Sequence, residues 1–287
     1  MQGTTIAAII AAEEIEADIH KFILSSLIEK EISLSWDFTF RGATLPICPR
    51  QLMFGMFHKK VKKTISFESR YSFHLRQAIK MLVQEFWADD LWGDWRCSDT
   101  NACGVKYKNT RLPNGKCIRC GSPALYEKVV KDDITGFSGH CDAIVYSDVL
   151  DGYLVFEVRT RNANVIAKAT EPYPSEISQV SLYATLLARK YWLRIAGRAI
   201  LWLGKPRPKP YKVWIYPGIG EDIAEQQFKL KMDLDQKIKE GRVLDIAGRC
   251  VTPEDADGCP FAGICLSPVK DRLIEAEYME WLSGQGN

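Results

Sequence analysis

The sequence predicts an α/β fold: a short mixed sheet flanked by helices and interrupted by a small cysteine-rich module. Three observations carry that prediction. Strand-like runs at 124–130, 137–146 and 152–160 precede a helical run at about 175–193 and two more strands at about 198–203 and 211–216. Residues 93–124 lose apolar periodicity and gain Cys, Gly, Asn and Pro, as an inserted module would. The 287 residues suffice for one large domain carrying such an insert.

Taken in order, residues 5–31 read as an amphipathic helix, with Ile9, Ile10, Ile15, Ile19, Phe22, Ile23 and Leu27 at helical spacing. A second helix starts at Pro49, a residue suited to a first turn. A third covers 68–87, where Phe73, Gln77, Met81 and Val83 flank His74. Asp148 to Gly152 holds the turn between the second and third strands. The Lys205-Pro-Arg-Pro-Lys-Pro210 stretch is a loop, because proline removes ladder donors and fixes φ. A polar helix at 220–240 leads into Cys250, Cys259 and Cys265. The organisation is then a helical region (1–92), the insert (93–124), a core (125–217) and a C-terminal helix with its cysteines (218–287).

Hydrophobic content of 46% and charged content of 26% are ordinary for a globular chain. A net charge of +2 excludes a polybasic coat but leaves room for a local basic groove. No uninterrupted apolar run is long enough for a bilayer, and Glu13, Glu14, Glu16 and Asp18 follow the apolar start without a basic n-region. The expectation is a soluble cytoplasmic protein with no membrane partner. Nine cysteines in such a chain argue for thiolate metal ligation over disulfides. Two sets of four leave Cys141, read as a buried core thiol.

Successive strand residues face opposite ways, so His140 and Asp142 share one face of their strand and Cys141 takes the other. Glu157 and Arg159 likewise share a face, and a hairpin between the two strands would bring Asp142 and Glu157 together. Converging carboxylates suit Mg²⁺ or Mn²⁺, which favour oxygen donors. Such a metal generates hydroxide from water and neutralises charge on a phosphate, helped by a nearby cation. By itself the pattern also fits solvated acids flanking a hairpin. Gln179 and Tyr183, four apart, share a helix face. They read either as ordinary packing or as a pair that orients a nucleophile or binds a phosphate.

In this order, His74, Gly139-x-x-Asp142, Glu157-Val158-Arg159 and Gln179-x3-Tyr183 resemble the PD-(D/E)xK nuclease superfamily in its RecB-like branch. Cys48-Pro-Arg-Gln-Leu and Cys259-Pro-Phe-Ala-Gly-Ile-Cys265 are further similar to the part of that branch with a [4Fe–4S] cluster. It includes the CRISPR-associated exonucleases and the helicase–nuclease of Okazaki-fragment processing. The likeness runs from residue 45 to 266, apart from the insert. It implies a restriction-endonuclease-like core in which His74, Asp142 and Glu157 hold Mg²⁺ or Mn²⁺, with the Val158 carbonyl as a fourth ligand. Arg159, Gln179 and Tyr183 would complete the catalytic set, and Cys48, Cys250, Cys259 and Cys265 would hold the cluster.

Two departures matter. The family's lysine is Arg159 here, and a guanidinium does not lose its proton. Lys168 is a candidate replacement, with a solvated surface lysine as the alternative. The family's Cys-x2-Cys pair is also absent, Cys250 and Cys259 being separated by eight residues. Four thiolates suit structural zinc as well, so zinc and iron–sulfur both stand for this terminal set.

The inner set, Cys97-x5-Cys103 and Cys117-x2-Cys120 with glycine after the second cysteine of each pair, resembles the knuckles of a zinc ribbon. A Zn²⁺ there would hold a module too small for its own core. Its basic residues Lys106, Lys108, Arg111, Lys116 and Arg119 fit a DNA-handling or partner-binding finger; a structural staple is the other reading. Lys59, Lys60, Lys62 and Lys63, and Lys205, Arg207, Lys209 and Lys212, are either solvated or phosphate contacts. Trp87, Trp92 and Trp95 either stack on bases or pack.

The expected function is a Mg²⁺- or Mn²⁺-dependent DNA exonuclease acting on single strands or DNA ends in recombination, repair or replication. The rival is a catalytically weak or inactive nuclease-fold scaffold that binds DNA and recruits a helicase or recombinase.

Overall fold

In the computed structural model the described residues are 30–35, 48–57, 60–65, 67–132, 136–205, 210–248 and 261–285. In chain order the strands are β1 (Lys30–Ser35), β2 (Lys60–Ile65), β3 (Trp92–Cys97), β4 (Lys106–Arg111), β5 (Ala124–Glu127), β6 (Val129–Lys131), β7 (Ser138–His140), β8 (Ala143–Ser147), β9 (Gly152–Asn162), β10 (Ile195–Lys205) and β11 (Tyr211–Pro217). The helices are α1 (Pro49–Phe57), α2 (Phe67–Phe86), α3 (Ala163–Lys168), α4 (Pro174–Tyr191), α5 (Glu221–Lys239), α6 (Ala262–Cys265) and α7 (Lys270–Gln285). The chain is a mixed α/β fold. No helix among the described residues is long and apolar enough to cross a membrane.

The central sheet has the order β11-β10-β9-β8. Its middle pair, β9 and β10, is parallel, and the two outer pairs are antiparallel. That mixture follows from the connections. Parallel strands need a crossover, and α3 and α4 supply one between β9 and β10, whereas the antiparallel outer pairs are joined by only a few residues each. Alternation along β9 then assigns two faces: Val155 joins a core with Val180, Tyr183, Leu187 and Phe228, while Phe156 joins Leu91, Trp95 and Leu112 on the other side. Pro174 starts α4 at a position where its missing N–H costs nothing, and Glu176 accepts from the Tyr173 N–H at 3.2 Å.

Several elements differ from the sequence expectation. The run 137–146 is two strands, β7 pairing with β6 and β8 pairing with β9. Cys141 and Asp142 occupy the break, so His140 and Asp142 do not lie on one strand face. The run 124–130 is divided in the same way: β5 belongs to the three-stranded β4-β3-β5 sheet, and β6 to the small β6–β7 ribbon. The Cys141 N–H donates to the Lys128 carbonyl at 2.9 Å and fixes this exchange of partners. The cysteine-rich module is therefore a sheet over 92–127, slightly wider than the compositional change. Lys30 and Glu31, the end of the expected N-terminal helix, are strand residues paired with Ile65 and Thr64; the rest of that helix lies outside the described residues.

The first helix and the C-terminal segment pack together. Phe54 stacks on Phe261 at 5.0 Å between centroids, and Phe57 meets Tyr278 and Trp281 at 5.8 and 5.1 Å. Arg50 Nε donates to the Ile246 carbonyl at 3.1 Å.

Candidate active site and metal centre

The carboxylate site is built where β8 leaves β7. Ala143 pairs with Phe156, which sets Asp142 beside Glu157 at the start of the shared ladder. Asp142 Oδ2 accepts from the Val158 N–H at 2.8 Å, and Oδ1 lies 2.5 Å from Lys80 Nζ. One turn along α2 from Lys80, Gln84 Nε2 donates to the Asp142 carbonyl at 2.7 Å.

Glu157 is fully enclosed, with 2% of its side chain exposed. One oxygen meets an Arg159 terminal nitrogen at 2.8 Å, and the other accepts from Gln179 Nε2 at 2.9 Å. Gln179 Oε1 accepts from Arg159 at 2.6 Å, and its nitrogen lies 3.3 Å from the Tyr183 hydroxyl. The shared faces expected for Glu157 with Arg159, and for Gln179 with Tyr183, thus meet in one network. Behind it, buried Glu176 faces Arg159 Nε at 3.7 Å, bonds Arg161 and accepts from Trp202 Nε1 at 2.9 Å.

Burial, with the Asp142 charge beside it, holds the Glu157 carboxyl well above the usual carboxylate range, against the pull of Arg159 and Lys80. Burial opposes the Arg159 charge, yet Glu157, Asp142 and Glu176 together raise its pKa. Burial likewise raises Tyr183, with Glu157 adding to it, so the phenol is a neutral hydrogen-bonding group. Cys141 is a buried thiol raised by burial and then by Asp142 and Glu157.

His74 is exposed on α2. Among the described residues it forms no group with Asp142 and Glu157 in which the ligand atoms lie within 4.8 Å of one another. His140 is exposed and stands 3.6 Å from Glu127. Lys168 is exposed at the end of α3. Trp87 packs on Phe156 at 4.5 Å, Trp92 on Tyr191 at 5.6 Å and Trp95 on Tyr126 at 5.2 Å, so all three are packing residues.

The second site is the inner cysteine quartet. The four sulfurs of Cys97, Cys103, Cys117 and Cys120 all lie within 4.8 Å of one another, an arrangement that could hold a metal ion. The geometry grows from two tight turns. Cys103 and Gly104 both donate to the Asp99 carbonyl, and Gly121 donates to that of Cys117. Positive φ at Gly104 (59°) and Gly121 (76°) makes glycine the fitting residue after each knuckle. Tyr107 Oη lies 3.1 Å from Cys117 Sγ, and its hydrogen bond lowers that thiol to about 6. Burial and the Cys120 thiol push Cys97 up to about 12. Four soft thiolate donors with a hydroxyl behind one of them suit Zn²⁺ or an iron–sulfur cluster.

Of the terminal set, Cys48 is buried just before α1, and Cys265 ends α6 half-buried. Cys250 and Cys259 lie outside the described residues.

No protein-family model matches the chain. No curated protein matches it either. Among solved structures, the crystal structure of SSO0001 is similar at a TM-score of 0.39 and 14% identity, covering 91% of this chain and 97% of that one.

Sequence reasoning passed over Lys80, Gln84, Arg161 and Glu176. A signal for the first pair was present: Arg76, Lys80 and Gln84 recur every four residues and so mark one stripe of α2. Glu176 sits at the third helical position after Pro174, where an acid is expected as a cap. Its second task, holding Arg159 and Arg161, depends on the packing of α4 against β9, which local sequence does not encode.

Proposed function

We propose that the chain is a Mg²⁺- or Mn²⁺-dependent deoxyribonuclease with a restriction-endonuclease-like core, an exonuclease working on DNA ends or single strands. The observation that carries this reading is the enclosed Asp142–Glu157 pair, ringed by Arg159, Gln179 and Tyr183. The donor chemistry fits a hard divalent cation: two carboxylates side by side, Glu157 raised well above the usual carboxylate range by burial and the Asp142 charge, with the Val158 carbonyl as a further oxygen donor in this reading. When bound, the metal would supply an activated water and offset charge on the phosphate.

The chain's own groups do the rest. Gln179 and Arg159 fix both oxygens of Glu157, and the Val158 N–H fixes one oxygen of Asp142. Tyr183 holds Gln179 in place. A cleft of 670 Å³ lies beside this site between α2 and the module; Lys80, Arg96 and Lys116 are among its lining, the carboxylates are not, and Lys80 joins the two as a path for a phosphate backbone. In this reading Zn²⁺ occupies the inner quartet, and a [4Fe–4S] cluster on Cys48, Cys250, Cys259 and Cys265 ties α1 to the tail.

A second reading has one specific observation in its favour. Arg159 is already neutralised by Glu157 and lies beside Glu176, as a retired site would have it. The protein would then bind DNA and recruit a helicase or recombinase without turnover.

One experiment separates the two. Anaerobically purified protein is given end-labelled single- and double-stranded DNA with Mg²⁺, Mn²⁺ or EDTA, beside Glu157→Gln, Asp142→Asn and His74→Ala. The expected result is metal-dependent degradation that falls at least about a hundredfold in the two carboxamide variants, the scale of losing an electrostatic catalytic group. DNA binding without cleavage by metal-loaded protein would move the assignment to the scaffold.

A further inference from the structure

A cation next to the carboxylate pair must be free to turn toward a phosphate, and Arg159 is not. Its guanidinium serves Glu157 at 2.8 Å and Gln179 at 2.6 Å, with Glu176 3.7 Å from Nε. Lys168, the sequence candidate for this duty, is exposed at the end of α3.

Lys80 is differently placed. It comes from α2, a different element from β9, and its Nζ lies 2.5 Å from Asp142 Oδ1. Its side chain is about as exposed as that of Arg159 (23% against 27%), but it lines the 670 Å³ cleft together with Gln84, Arg96 and Lys116, and Arg159 does not. Gln84, one turn further on, holds the Asp142 carbonyl. Helix α2 therefore grips Asp142 at two points, backbone and carboxylate, so the ammonium is held at the pair while remaining at the cleft's edge. A primary ammonium is a compact charge with three rotatable donors, able to move between a carboxylate and a phosphate oxygen. A guanidinium fixed by two acceptors is not.

The geometry points to Lys80 as the lysine of this site, carried on α2 where β9 has Arg159. In metal-free protein it neutralises Asp142; with substrate in the cleft it donates to a non-bridging phosphate oxygen and stabilises the charge gathering there. No proton or group is transferred by it. The inference rests on the nuclease reading, and the test is arranged so that the two fail differently.

The full-length protein is compared with Lys80→Met, which keeps the aliphatic stem, Lys80→Arg and Lys168→Ala, with Glu157→Gln as the inactive reference. Two readouts are taken: Mn²⁺ affinity from the electron paramagnetic resonance of free Mn²⁺, and steady-state cleavage of labelled single-stranded DNA. Lys80→Met should bind Mn²⁺ about threefold more tightly, since a competing, partly exposed ion pair has gone. Its kcat should fall by about a hundredfold while KM for DNA changes little. Lys80→Arg should recover part of the rate, and Lys168→Ala should match the wild type.

Wild-type cleavage by Lys80→Met beside an inactive Glu157→Gln overturns the Lys80 assignment and leaves the nuclease standing. Unchanged or weaker Mn²⁺ binding, or a loss of rate that Lys80→Arg does not relieve, also overturns it, because a merely structural lysine behaves that way. A wild-type protein that binds Mn²⁺ and does not cleave removes both.

Discussion

At Gly139 there is no room for a side chain. A Cβ built there would stand 2.2 Å from the Tyr183 hydroxyl and 2.6 Å from two of its ring carbons. The glycine of the Gly-x-x-Asp segment is thus explained by the approach of the α4 tyrosine to β7, and helical spacing on α4 puts the same hydroxyl within reach of Gln179. Gly139→Ala should destabilise the protein by about 1–3 kcal/mol, the usual cost of overpacking a core, measured by urea unfolding. If the proposed nuclease reading holds, it should also lower DNA cleavage by displacing the Gln179–Tyr183 pair from Glu157. Because the clash involves ring carbons as well as the hydroxyl, Tyr183→Phe should give little relief, whereas Tyr183→Ala in the same chain should recover part of the stability. Equal stability of Gly139→Ala and the wild type would mean that the tyrosine does not sit where it is described.

At the scale of elements, the cysteine module carries a quartet that could hold a metal and is also one wall of the core. Its residues Leu91, Trp95 and Leu112 pack against Ala143, Phe156 and Ala199 of the central sheet, on the face opposite α4. Lys128 reinforces the junction. It is 1% exposed, lies 3.6 Å from Asp94 of β3 and sits over the Trp92 and Tyr191 rings at 4.6 and 4.0 Å. Loss of a metal held there should therefore reach the carboxylate site. Cys117→Ser is expected to lose the quartet's metal in elemental analysis and to lower thermal stability, and also to increase hydrogen exchange along β9 as well as β3. A variant that loses metal while β9 keeps its protection would confine the module to an appended finger.

The knuckles were legible because metal ligands must be close in sequence to form tight turns, and the two glycines follow from the same turns. The three-stranded sheet that carries them was not. Its strand β5 reads as continuous with β6, and only the change of partner at Lys128 and Cys141 divides them. The carboxylates were legible for a similar reason: β8 and β9 are joined by a short turn, so residues on either side meet by local pairing. Lys80 and Glu176 were not legible as partners of that pair, because their contacts span a tertiary fold that periodicity does not encode.

At the scale of the whole molecule, the question is what holds the two ends of the chain to each other. Sequence pointed to a cysteine clasp, since Cys48 and Cys265 bracket the core. The described contacts at this junction are aromatic and backbone ones. Phe54, fully buried, stacks on Phe261, Phe57 packs against Tyr278 and Trp281, and Arg50 bonds the Ile246 carbonyl across 196 residues of chain. A ligand set on Cys48 and Cys265 would join elements that this packing has already brought together, so cluster and core should reinforce each other. Phe54→Ala removes the central ring of the junction and should cost about 3–5 kcal/mol, as large-to-small core changes do. Met279→Ala, on the same C-terminal helix but 62% exposed, should cost nearly nothing. If the clasp is a metal cluster that depends on this packing, Phe54→Ala should also lose visible absorbance more readily in air than the wild type. If Phe54→Ala is destabilised and its absorbance persists unchanged, the thiolates hold the ends together on their own, and the aromatic junction serves only the fold.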